Sequence, residues 1–192
     1  YQLGRYFSEH HYFVQAKELL QKALKLEPNF GMAWHLLGIV SFGLGEMLND
    51  RAQLLEAMNC FDQAVKLEVG RFGSFWNDWG VAYMHLSDIT EDKSFLEEAI
   101  KRFEFAILMH DTPDAEWLYN YGCALDFMAE LSSDESFYEK AIQALNQANV
   151  LDPTDANTKY QLAVAYTHLA EGAQDPELYA KAISLFQAIL GD

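Results

Sequence analysis

The sequence predicts an all-helical solenoid of stacked antiparallel helix pairs, and three observations predict it. Near-copies of one octapeptide, "DRAQLLEA" from Asp50, "DKSFLEEA" from Asp92, "DESFYEKA" from Asp134 and "DPELYAKA" from Asp175, recur at intervals of 42, 42 and 41 residues. A fixed period of that size marks a repeat array. A second pattern, large, large, small, large at i, i+3, i+4 and i+7, recurs at its own phase and describes one face of an α-helix. Hydrophobic residues form 51% and aromatic residues 14% of the 192, enough to fill a continuous core with no linker between parts.

The first helix of each unit, helix A, carries "WHLLG" (34–38), "WNDWG" (76–80), "LYNYG" (118–122) or "KYQLA" (159–163), followed by Ser41, Tyr83, Leu125 or Tyr166. Leu3, Gly4 and Phe7 are the remnant of an earlier copy. The small residue lets a neighbouring helix approach closely. The second helix, helix B, opens with Ala16, Ala57, Ala99, Ala141 or Ala182 and places Leu20, Phe61, Phe103, Leu145 or Phe186 four residues later. Pro28 and Pro153 stop two of these helices. The units fall at about 1–30, 31–72, 73–114, 115–155 and 156–192, one repeat domain over the whole chain, with His10-His11 read as the turn inside the first pair.

These residues resemble the tetratricopeptide repeat, whose pattern is W-x2-L-G-x2-Y, then A-x3-F, then A and P. Lys159, Ala163 and Ile189 depart from it in the last unit. The resemblance implies a right-handed superhelix and a protein-binding role. Gly4 to Gly38 keeps the usual spacing of 34, but from the small residue of helix A to the Ala of helix B is 12 residues in the first unit and 19 in the other four. The seven added residues, about two helical turns or roughly 10 Å, fall within the octapeptides "GLGEMLND", "HLSDITED", "FMAELSSD" and "HLAEGAQD". Each ends on the recurrent Asp, read as the N-cap of helix B, with Pro176 at the first helical position of the last copy. The apolar pairs that follow (Leu54-Leu55, Phe95-Leu96, Phe137-Tyr138, Leu178-Tyr179) are expected to pack against the lengthened helix A. A calcium role for the four Asp residues lacks the converging oxygens such a loop needs.

Thirteen basic against twenty-nine acidic residues give a net charge of −16, which repels phosphate backbones and anionic lipid surfaces. Nucleic acid and membrane are therefore not expected partners, and no run reads as long enough to span a bilayer. Cys60 and Cys123 sit at different repeat phases and read as buried reduced thiols, which favours a cytoplasmic location. The opening "YQLGRYF" has neither an initiator Met nor a leader, so the chain reads as an excerpt of a longer protein. No catalytic, metal or cofactor constellation is readable: His35, His85, His110 and His168 are scattered, and His85 and His168 share one repeat phase, as structural or groove residues do. The chain is read as non-enzymatic.

In arrays of the family it resembles, helix A lines a concave groove. Positions offset by one from the core stripe then give His35, Ile39 and Phe42; Asn77, Val81 and Met84; Tyr119, Cys123 and Asp126; and Tyr160, Val164 and Thr167. Such a lining suits an apolar or amphipathic segment of a protein partner; packing between repeats accounts for the same residues. One subclass of the family grips acidic chaperone tails with a two-carboxylate clamp. The matching phases here offer Tyr1, Arg5, Leu36, Ser74 and Asp78, or His35, Ile39, Asp78, Glu116 and Asn120, or Asn77, Val81, Asn120, Asn157 and Gln161, without the cations that clamp requires. The alternative is a homo-oligomeric assembly through the apolar end "AISLFQAILGD", where Ile183, Phe186, Ile189 and Leu190 lack a capping helix.

Overall fold

Short links, two residues long in three pairs and three residues long at 133–135, each open on a left-handed residue followed by an aspartate and join the helices of four consecutive pairs. The computed structural model describes residues 2–109 and 111–191, with side chains for 10–109 and 111–191. In chain order the helices are α1 (Gln2–Leu26), α2 (Gly31–Leu48), α3 (Arg51–Lys66), α4 (Gly73–Thr90), α5 (Lys93–Leu108), α6 (Ala115–Ser132), α7 (Ser136–Leu151), α8 (Ala156–Ala173) and α9 (Pro176–Leu190), with a short 3-10 turn at Val69–Arg71. No strand occurs among the described residues. Helices α2, α4, α6 and α8 are the A helices, and α3, α5, α7 and α9 the B helices. The chain divides into two compact units, Tyr1–Phe95 and Leu96–Asp192.

The first pair is corrected: Gln2–Leu26 is one uninterrupted helix of 25 residues, and no turn interrupts it at His10-His11. Between Gln2 and Leu26 stand no Pro, Asn or Asp and no Gly beyond Gly4, so nothing stops a helix there. The C-terminal half of α1 still serves as a helix B, since Leu20 and Leu24 pack against Ala33, Leu37 and Cys60. The remnant residues Leu3, Gly4 and Phe7, the clamp positions Tyr1 and Arg5, and His110 lie outside the residues whose side chains are described.

The added seven residues are accounted for locally. Each helix A is 18 residues long and ends at a residue with positive φ: Asn49 (50°), Glu91 (55°), Ser133 (54°) and Gln174 (51°). The next residue is the recurrent Asp. Its Oδ1 accepts from the amide two residues on, at 2.8 Å for Asp50, 2.9 Å for Asp92, 3.0 Å for Asp134 and 2.8 Å for Asp175. These bonds satisfy amides that the first turn of helix B leaves open. Ser94 donates to Asp92 through its side chain and its amide, which holds that carboxyl below its ordinary range. A group depressed in the folded state stabilises above its unfolded pKa and loses that contribution as pH falls. Replacing any one of the four by Ala is expected to lower stability by about 1 kcal/mol, and by Ser much less, as read from urea denaturation midpoints.

Small residues set the close packing within pairs. A Cβ on Gly38 would lie 2.8 Å from the Phe61 ring, and one on Gly122 would lie 2.5 Å from Leu145 Cγ. The small residue of helix A thus admits the close approach of helix B that the sequence implies. In the lengthened part, Gly45 abuts Leu54 in the same way, so as numbers rise along α2 they fall along α3, as an antiparallel pair requires. In the first unit Phe61, Phe75 and Trp79 form the centre of the core with Ala57, Ala64, Val69 and Ala82. Trp34 donates its indole N–H to the Pro28 carbonyl at 2.8 Å and Trp76 donates to Gly70 at 2.6 Å, so the repeat-leading Trp ties down the loop before its own helix. In the second unit Ile142, Leu145, Leu162 and Ala165 form the equivalent core.

One helix does have the length and composition to cross a bilayer, contrary to the reading of the sequence: Gly31–Leu48, 18 residues with a mean hydropathy of 1.2. Half of it is buried inside the fold, against α1 and α3. Its apolarity is that of a core helix.

Candidate functional site: the helix-A faces

The A helices are polarised in charge. Together α2, α4, α6 and α8 carry one basic residue, Lys159, against Glu46, Asp78, Asp88, Glu116, Asp126, Glu130 and Glu171. The cations of the chain sit elsewhere, as Lys17 does on α1, where it bridges Gln53 and Glu56 of α3 at 2.7 and 2.6 Å.

In the first unit, His35 is 7% exposed and lies between α2 and α4, donating from Nε2 to Asp78 Oδ2 at 2.9 Å. Its Nδ1 is buried without a partner, which leaves Nε2 as the protonated nitrogen of the neutral ring. Further along the same helices, the His85 ring meets Phe42 edge-on at 5.2 Å and its Nε2 lies 3.7 Å from Glu46 Oε1. Ile39, Phe42, Val81 and Met84 are half-buried, whereas Asn77 is fully buried. Leu36 and Met32, outside the predicted set, are exposed on α2.

In the second unit, Asp126 is 4% exposed between α6 and α8. Its Oδ2 accepts from Gln161 Nε2 at 3.1 Å and its Oδ1 from His168 Nδ1 at 3.2 Å, while His168 Nε2 lies 3.5 Å from Glu130 Oε1. Burial pushes the Asp126 carboxyl above its ordinary range, and the His168 hydrogen bond pulls it partway back. Tyr119 and Cys123 lie side by side on α6; burial raises the phenol, and burial pushes the thiol up to about 12. Val164 and Thr167 are half-buried, and Tyr160 is 56% exposed with its ring against Phe186 of α9 at 5.9 Å.

The predicted groove set therefore splits. His35 and Asp126 are buried between neighbouring A helices of one unit, Asn77 is buried, Tyr160 is exposed, and the other eight are half-buried. The reading of the sequence left Leu36, His85, Gln161 and His168 out of the groove set, although it named His85 and His168 as structural or groove residues, and it passed over Glu46 and Glu130. A signal for them was available, because His85 and His168 stand at one repeat phase and Glu46 and Glu130 at another. In each unit the histidine of one helix A meets the glutamate of the helix A before it.

No family model matches the sequence, and no curated protein matches it. Solved structures do. A crystal structure of MamA superposes with a TM-score of 0.68 at 21% identity, covering 93% of this chain and 86% of that one. The MamA fragment "41-end" from Desulfovibrio magneticus RS-1 gives 0.68 at 20%, covering 92% and 86%. A tetratricopeptide protein of Thermus thermophilus, TTC0263, gives 0.58 at 22%, covering 97% and 93%. The chain is thus a tetratricopeptide-like repeat protein in fold, all-α and built of antiparallel helix pairs.

Proposed function

We propose that this chain is a non-enzymatic protein-interaction scaffold whose helix-A faces bind an apolar or amphipathic segment of a partner protein. The observation that carries the reading is the composition of those faces: half-buried Ile39, Phe42, Val81 and Met84 in one unit, and Tyr119, Cys123 and Val164 in the other, bordered by seven acidic residues and a single cation. Apolar side chains with area still open to solvent gain by covering it, and the surrounding carboxylates select ligands with basic flanks and repel acidic ones. The phases a two-carboxylate clamp would use carry Leu36, Asp78, Asn120 and Gln161, which leaves acidic tails as poor ligands.

The test is selection from a random peptide library with the wild type and with the triple variant Val81→Glu, Tyr119→Ala, Tyr160→Ala, both shown by circular dichroism to fold alike. The expected result is enrichment of amphipathic sequences carrying Lys or Arg beside the apolar residues, lost in the variant. Enrichment of the same peptides by both forms sinks the reading.

A second reading, self-association, is favoured by α9, on which Ile183 is 57% and Leu190 78% exposed and Tyr179 38%. Phe186 and Ile189 are half-buried. Sedimentation at rising concentration separates the two readings, since an Ile183→Glu, Leu190→Glu variant dissociates an assembly held by α9 and leaves peptide selection intact.

A further inference from the structure

We propose that Asp126, Glu130 and His168 form a binding site for a divalent transition-metal ion of the zinc class. The two carboxylates stand four residues apart on α6 and so project from one side of it, and the imidazole comes from α8. One donor atom from each of the three lies within 4.8 Å of the other two. Donors around a bound zinc ion at about 2.0–2.2 Å sit roughly 3–3.5 Å apart, so closure needs a contraction of up to about 1.5 Å. Glu130, whose side chain is 48% exposed and faces the other ring nitrogen, Nε2, at 3.5 Å, would supply it by turning toward Nδ1.

Comparison among the repeats separates this cluster from an ordinary surface pairing of acids. The position of Asp126, four residues past the small residue of helix A, is Phe42, Met84 and Thr167 in the other pairs. Only α6 buries a carboxylate there, 4% exposed, at a cost in desolvation. The carboxylate is also oriented: Gln161 Nε2 holds Oδ2, which leaves Oδ1 facing the imidazole. An outer hydrogen bond that fixes a ligand's direction is the usual support of a metal ligand. The first unit repeats the construction with one part missing. His85 faces Glu46, but Phe42 replaces the aspartate, so only two donors meet. One imidazole with two carboxylates suits zinc, cobalt or nickel better than magnesium or calcium, which take oxygen ligands almost alone. Three protein ligands leave a coordination position for water or for a side chain of a bound partner. The site stands independently of peptide binding on the helix-A faces.

The test is calorimetric titration of the untagged, chelator-treated chain with zinc chloride at neutral pH, repeated with cobalt chloride while the visible absorption of the cobalt ion is recorded. The expected result is one ion per chain, abolished in His168→Ala and in Asp126→Asn, weakened about tenfold or more in Gln161→Ala, and unchanged in His85→Ala and in His10→Ala, His11→Ala. Magnesium and calcium at the same concentrations are expected to give no binding. Circular dichroism of each variant separates a lost site from a lost fold, and Glu130→Gln, on an exposed side chain, tests the site without touching the core. Absence of stoichiometric zinc binding overturns the proposal, as does binding that survives in His168→Ala or disappears in the His10, His11 pair.

Discussion

Truncating Phe61 to Ala is expected to cost about 3–5 kcal/mol, a fall in melting temperature on the order of 10 °C for a chain of this size. The side chain is 0% exposed. Its ring fills the space that the absent Cβ of Gly38 leaves, and it meets His35 at 6.0 Å, Phe75 at 6.0 Å and Trp79 at 6.1 Å. One ring on α3 thus touches both α2 and α4, and the rigid aromatic groups around it leave the cavity no ready means of closing. Phe61→Leu keeps most of the volume and is expected to cost much less. Because Gly38 and Phe61 share one space, Gly38→Ala combined with Phe61→Leu is expected to cost less than the two single changes added together. Urea denaturation reads the loss, and amide hydrogen exchange in α2 and α3 locates it. A cost for Phe61→Ala below about 1 kcal/mol contradicts the packing described.

The second large effect is chemical. Cys60 and Cys123 have thiols pushed from 9.0 up to about 12, in both cases first by burial. Glu56 adds to the shift at Cys60 and Lys17 opposes it, while at Cys123 the Tyr119 hydrogen bond opposes it. A rise of that size leaves about a thousandth of the ordinary thiolate fraction near neutral pH, and the thiolate is the reactive form. The native chain is therefore expected to react with a disulfide reagent about three orders of magnitude more slowly than the unfolded chain, which shows both thiols at once. A group whose proton affinity is raised by folding favours the folded state only while it is protonated, so stability is expected to decline as pH climbs above 9.0 toward about 12. Rapid labelling of the native chain at either cysteine contradicts this placement.

How much of the molecule was legible depended on whether the signal lay within one helix or between helices. The close approach at Gly38 and Gly122 was legible because a small residue recurs at one phase; that Phe61 and Leu145 fill the space was not, because spacing does not give the register between two helices. The caps were legible at Asp50 and Asp175, the N-caps of their helices; before α7 the N-cap position falls on Glu135, and Asp134 keeps only its bond to the Ser136 amide. The continuity of α1 was overlooked although its stop signals are missing from the sequence. The left-handed residues Asn49, Glu91, Ser133 and Gln174 share no side-chain chemistry; each is the C-cap of its helix A, a backbone role that no side chain announces. The helix-A faces were legible only in part. Offsets from a core stripe do not say how closely the next helix A approaches, and that approach sets His35 against Asp78 and brings His168 to Asp126.

The most direct measurement of the central proposal is site-specific photocrosslinking with a peptide obtained by selection. A photoreactive residue is placed in turn at Leu36, Val81 and Val164 on helix A, and at Leu55 and Gln143, which are exposed on helix B. Binding on the helix-A faces predicts crosslinks from helix-A positions, competed away by unlabelled peptide, and none from Leu55 or Gln143. Crosslinks confined to the helix-B positions contradict the account.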